Sequence, residues 1–164
     1  MDRKEKRIIT VTAVLLVAAL IATAVVFFVQ KNKNSFDPPP CDKGATSGIP
    51  TVNNDALQYR SVKVSEDLSF SLCMCPSYED GEVKVLLTND EGSSAYVRIV
   101  LFDAEDNTVG ESGLIKPGEY VESVSLSITP ENDMTLKAKI LSYDMKTYYS
   151  RGTSDGELKI KVGE

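Results

Sequence analysis

Residues 8–29 form a run of 22 residues without a charge, broken in apolar character only by Thr10, Thr12 and Thr23. Wound as an α-helix at about 1.5 Å per residue, such a run rises roughly 33 Å, enough to cross a hydrocarbon core. Its many β-branched residues are weak helix formers in water. In lipid this matters little, because a helix satisfies its own backbone polar groups. Arg3, Lys4, Lys6 and Arg7 precede the run, and Lys31 and Lys33 follow it. The excess of positive charge on the N-terminal side favours a cytoplasmic N-terminus and an exterior C-terminal region.

Three other readings of this segment compete with a membrane anchor. Ala22-Thr23-Ala24 fits the small-x-small pattern of a signal-peptide cleavage site, but Val25-Val26-Phe27-Phe28-Val29 continues the apolar run where a signal peptide turns polar. A lipoprotein would need a cysteine after small apolar residues, whereas Cys41 follows Pro38-Pro39-Pro40. Type IV pilins begin with a hydrophobic helix, but they carry a Gly cleavage point and a Glu inside that helix. This chain has no Gly before Gly44 and no acid within residues 8–29.

Charge divides the chain in two. Residues 1–30 carry a net +2, while the remainder carries −8 of the total −6. An acidic domain lacks the clustered Lys and Arg that phosphate contacts require, so nucleic acid is not an expected partner. There is no His and no Trp. Imidazole metal ligation and triads built on His are therefore excluded.

Residues 30–55 read as a stalk: polar to Asp37, extended at Pro38-Pro39-Pro40, then broken by Gly44, Gly48 and Pro50. From Ala56 onward the apolar residues alternate with polar ones. Leu68, Phe70 and Leu72 do so, as do Val83, Val85 and Leu87, then Val124, Leu126 and Ile128. Leu136, Ala138 and Ile140 repeat the pattern, and Leu158, Ile160 and Val162 close it. Period-two alternation is the requirement of a half-buried strand. Residues 90–94, 103–107, Pro117-Gly118 and 152–156 are the expected breaks. The expected fold is all-β: an antiparallel immunoglobulin-like β-sandwich behind a single transmembrane helix. The expected divisions are a basic flank at 1–7, the helix at 8–29, the stalk at 30–55 and the sandwich at 56–164.

The stretch VKVLLTNDEGSSAYVRIVLFDAEDNTVGESGLIKPGEYVESVSL runs from Val83 to Leu126. Its buried-type Asn89, its acidic Asp-x-x-x-Asn turn and above all SGLIKPGEYVESVSL resemble small membrane-anchored surface proteins of Gram-positive, clostridia-type bacteria. The order of strand, turn and Pro-Gly-Glu is similar to many bacterial immunoglobulin-like modules. The resemblance covers roughly residues 57–163. It implies a sandwich fold and an exterior location, and it transfers no catalytic residue.

Few side chains suggest a site. Cys41, Cys73 and Cys75 form an odd set, in which a bridge from Cys41 to Cys73 or Cys75 competes with free thiols. A direct Cys73–Cys75 bridge would be strained, and three thiols without His make a poor metal site. Asp103, Glu105, Asp106 and Asn107 offer oxygen ligands, but an acidic turn is the commoner use of such residues. Tyr143, Tyr148 and Tyr149 cluster near a turn, either as a binding surface or as half-buried strand residues. No cofactor and no catalytic set is expected.

The leading expectation is thus a non-enzymatic, cell-surface interaction or structural module. Its partners would be the membrane and another envelope protein or cell-wall component. An accessory subunit of a secretion, transport or pilus-like assembly is the alternative. An enzyme working through paired carboxylates is a third.

Overall fold

The computed structural model describes residues 2–3, 15–25, 37–52 and 55–163. The chain divides into two units, Met1–Pro38 and Pro39–Glu164. In the first, residues 15–25 are helical and exposed. Thr23 returns its hydroxyl to the carbonyls of Ala19 and Leu20, at 3.0 and 2.9 Å, so its one polar group is satisfied within the helix. The rest of the apolar run lies outside the described residues. Among the described residues no helix is long and apolar enough to cross a membrane.

The second unit is all-β, built almost wholly of antiparallel pairs. Its strands are β1 (Thr46–Ser47), β2 (Tyr59–Ser65), β3 (Leu68–Cys73), β4 (Ser77–Glu79), β5 (Glu82–Val83) and β6 (Leu87–Asn89). There follow β7 (Ala95–Phe102), β8 (Thr108–Glu111), β9 (Glu119–Val121), β10 (Val124–Ser125), β11 (Met134–Asp144) and β12 (Ser150–Val162). Five strands make a sheet in the order β1-β9-β6-β3-β2, and seven make a second in the order β10-β5-β4-β12-β11-β7-β8. Among the described strands, only β4 and β12 pair in parallel. Alternation decides which residues enter the core. Phe70 and Leu72 of one sheet, and Val97, Ile99, Leu101, Leu136, Ala138, Leu158 and Ile160 of the other, belong to one buried cluster. Each fully buried Val, Leu, Ile or Phe side chain contributes about 1.5–3 kcal/mol.

Two of the expected strands are not single strands. Val83, Val85 and Leu87 alternate as foreseen, but Val83 lies in the seven-stranded sheet and Leu87 in the five-stranded one. The chain turns between them: Val85 N–H donates to the Val83 carbonyl at 2.9 Å, and Leu86 adopts φ +46°. The partner does the same, with β9 in one sheet and β10 in the other. Leu87 opposes Val121, and Val83 opposes Val124. At the crossing, Leu86 N–H donates to the Glu122 carbonyl at 2.9 Å, and the Lys84 ammonium pairs with Glu122 at 2.8 Å. This antiparallel ribbon therefore belongs to both sheets, the kind of corner that strands make by bending from one sheet to the next.

The break expected at residues 152–156 is also absent. β12 runs through Gly152 and Gly156 in register with β11, with a bulge at Ser142/Tyr143. The turn falls earlier, where the Asp144 carboxylate accepts from Lys146 N–H, Thr147 N–H and the Thr147 hydroxyl at 3.0, 2.8 and 3.0 Å. An aspartate that satisfies its own turn outweighs glycines that a long partner strand can hold extended.

The domain also starts before the expected boundary at residue 56. Cys41 forms a parallel bridge with Leu114. Asp42 N–H donates to the Leu114 carbonyl, and Leu114 N–H to the Pro40 carbonyl, both at 2.9 Å. The Asp42 carboxylate accepts from Gly113 N–H at 2.7 Å, and β1 pairs with β9. Gly113 permits the approach, since a Cβ there would lie 2.6 Å from the Asp42 backbone nitrogen. Half of the presumed stalk is therefore part of the folded unit, for reasons of backbone pairing that hydropathy does not register.

Candidate interaction face

In β7 the inward residues are Val97, Ile99 and Leu101, so Tyr96, Arg98, Val100 and Phe102 point outward. In β11 the outward set is Lys137, Lys139, Leu141 and Tyr143. Register brings these together: Tyr143 opposes Tyr96, Leu141 opposes Arg98, Lys139 opposes Val100 and Lys137 opposes Phe102. The outer face of the seven-stranded sheet is therefore aromatic at one end and basic at the other.

Local contacts hold this face in shape. The Tyr96 and Tyr148 rings meet with centroids 5.6 Å apart and planes at 35°. Burial, then the neighbouring Tyr148, pushes the Tyr96 phenol above its ordinary value. Tyr148 sits at φ +59° in the β11–β12 turn, and its N–H donates to the Asp144 carbonyl at 2.9 Å. The Asp144 turn thereby sets the Tyr148 ring against Tyr96. The Arg98 guanidinium reaches Glu111 of β8 at 2.5 Å, and Lys139 lies 5.4 Å from the Phe102 ring centre. Tyr149 stands 67% exposed at the tip. Phenols of this kind supply apolar area and a hydrogen-bonding end with little rotamer entropy to lose.

Of the three tyrosines singled out in the sequence, Tyr143 and Tyr148 lie on this face and Tyr149 lies beside it in the same turn. The sequence reading missed Tyr96, Leu141 and Phe102. Their signal was the polar half of the alternation in β7 and β11, where Tyr, Val, Phe and Leu stand at positions that face outward.

The cysteines do not converge. All three are free thiols: Cys41 is exposed, Cys73 buried and Cys75 half-buried. Burial raises the Cys73 thiol to about 11. Among the described residues no group of three or more Cys, Asp or Glu is placed to hold a metal ion. The acidic turn uses its own oxygens. Asp103 accepts from Glu105 N–H, Asn107 N–H and Asn107 Nδ2 at 3.0, 2.8 and 2.9 Å, and these bonds, those from Asn107 foremost, hold its carboxyl below the ordinary value. Asp106 pairs with Lys137 at 2.7 Å.

No protein-family model matches this sequence, and a search of curated proteins finds no match to it.

Proposed function

We propose that this chain is a non-enzymatic interaction module, anchored by residues 8–29 and displayed outside the cytoplasm of a Gram-positive cell. Its folded unit is read as an immunoglobulin-like sandwich, in keeping with two mainly antiparallel sheets around one core. The observation that carries the reading is the outer face of β7 and β11, where Tyr96 and Tyr143 oppose each other on paired strands and the Tyr148 ring of the adjoining turn packs against Tyr96. Sites on paired strands hold their geometry better than sites on loops. The partner is another envelope protein or a cell-wall component, met by aromatic area with a basic flank.

Two measurements test this. On intact cells, added protease should remove the folded unit, Pro39–Glu164, while the apolar run stays in the membrane fraction. Tyr148→Ser combined with Tyr149→Ser should lower recovery of envelope partners by roughly tenfold, the loss of one to two interface aromatics. Protection of the domain until the membrane is breached would reverse the topology. Unchanged recovery from the double variant would remove the face from consideration.

A further inference from the structure

The two sheets do not close on every side. A cleft of about 100 Å³ lies between β2–β3 and β11–β12, floored by Val62, Phe70, Leu72, Ala138 and Ile140. Two strand edges flank it. β2 is the last strand of its sheet. β12 meets β4 only at Lys161 and Val162, with Lys159 N–H donating to the Met74 carbonyl at 2.9 Å. Among the described residues, no strand covers β12 from Thr153 to Glu157. On the core side of this stretch stand Gly152, Ser154 and Gly156, in line with buried Leu158 and Ile160. A Cβ at Gly156 would meet nothing within 4 Å. The cleft exists because these positions carry almost no side chain.

The backbone phase of both edges can be worked out. Lys159 and Lys161 direct their N–H groups away from β11, to Met74 and Pro76. By alternation Thr153, Asp155 and Glu157 present N–H and C=O to the open side. In β3, Cys73 N–H and the Ser69 carbonyl bond toward the β6 side, to Val85 and Asp90. Phe70 and Leu72 therefore bond to Val62 and Arg60, their register partners, which leaves Ser61 and Lys63 of β2 facing outward. Direction follows from the same contacts. After β3 the chain bends at Met74 and Cys75, still bonded to β2 through Met74 N–H to the Gln58 carbonyl, and enters β4 parallel to β12, while β2 is antiparallel to β3. β2 and β12 thus run in opposite directions.

We propose that the occupant of these edges is a second copy of this chain, with β2 of each copy pairing antiparallel to β12 of the other about a two-fold axis along the strands. Such an axis sets the core-facing sides of the joined sheets together, and the interface is isologous and closed. One register pairs the outward backbone groups of both edges. Lys63 opposes Asp155 and Ser61 opposes Glu157 as hydrogen-bonded pairs. On the core side, Val62 then covers Gly156, a large residue over a small one, and the β2 bulge between Lys63 and Ser65 marks the end of the paired stretch. Charge selects this pairing over one of β12 with β12. β2 carries Arg60 and Lys63 with no acid, and the open stretch of β12 carries Asp155 and Glu157 with no base. Joining β12 to β12 would set the Asp155 and Glu157 carboxylates opposite one another, which is destabilising across a ladder. The inference needs neither the anchor nor the tyrosine face.

The test is a charge exchange in the full chain in mild detergent, read by analytical ultracentrifugation with the melting temperature as a check on folding. The wild-type chain should dimerise. Lys63→Glu alone and Asp155→Lys alone should each weaken the dimer by roughly tenfold, since the two-fold axis repeats each repulsion. Lys63→Glu with Asp155→Lys should restore it. A chain that stays monomeric at every concentration overturns the proposal. So does a dimer that neither single variant weakens, because that dimer uses another surface or the hydrophobic run.

Discussion

The β7–β11 centre and the β2–β12 margin obey the same alternation and end differently. At the centre, Val97, Ile99 and Leu101 meet Leu136, Ala138 and Ile140, and all six are buried. At the margin, the core-side residues are Arg60 and Val62 on β2 and Gly152, Ser154 and Gly156 on β12. Val64, in the β2 bulge, is 45% exposed. The ladder between β11 and β12 nevertheless continues through the glycines. Backbone pairing and core filling are thus separable: a strand can be held on one side by a long partner and still leave its inner face unfilled.

The sharpest way to break this contrast is to make equivalent deletions in both places. Ile99→Ala should cost about 2–5 kcal/mol in urea unfolding, because the surrounding ladder cannot collapse into the void. Val62→Ala should cost under about 1 kcal/mol, as its side chain already borders the cleft. Equal costs would mean that the margin is packed like the centre.

The next effect concerns the edge that closes rather than the one that stays open. Gly113→Ala forces a Cβ against the Asp42 backbone and should cost about 1–3 kcal/mol, as overpacking does. Limited proteolysis should then cut near Lys43 well before it cuts β11 or β12. The glycines of the margin should behave oppositely. Gly156→Val meets open space and should stabilise the monomer by up to about 1 kcal/mol through strand preference. Gly152→Val should destabilise it, because Gly152 sits at φ +140°.

The smallest effect is electrostatic and acts at one end of the cleft. Asp67, in the β2–β3 turn, accepts from the Ser65 and Ser94 hydroxyls at 2.7 and 2.5 Å and from Arg151 of β12 at 3.0 Å. The Ser94 hydrogen bond, then Ser65 and Arg151, holds its carboxyl far below the ordinary 3.8. A depressed carboxyl adds stability that is fully present above its unfolded value and lost as pH falls toward its folded one. Amides of β2 and the first half of β12 should therefore lose exchange protection below about pH 4, while those of β7 keep theirs. Asp67→Asn should remove that difference.

Much of the fold was legible in the sequence. Leu136, Ala138 and Ile140 of β11, Leu158 and Ile160 of β12, and Leu68, Phe70 and Leu72 of β3 all enter the core as the alternation requires. The failures have a common physical origin. Alternation records only which side chains reach the core, and both sheets face the same core. A chain that bends from one sheet into the other at Leu86, or between β9 and β10, keeps its pattern while changing its neighbours. The glycine-rich stretch of β12 reads as a break because glycine has no side chain to alternate. The tyrosine face was half legible: Tyr143, Tyr148 and Tyr149 stand out by clustering. Tyr96 is distant in sequence and joins them only through the β7–β11 register.

The ribbon of β5–β6 and β9–β10 has a consequence for how the domain comes apart. Since both of its chains are members of both sheets, neither sheet can peel away while the other stays intact. The amides of Leu86, Leu87 and Val124 should then exchange in one cooperative step, at the free energy of global unfolding. Mechanically, the ribbon acts as a rivet through two plates, and tension applied to either sheet is shared at Leu86 and Glu122.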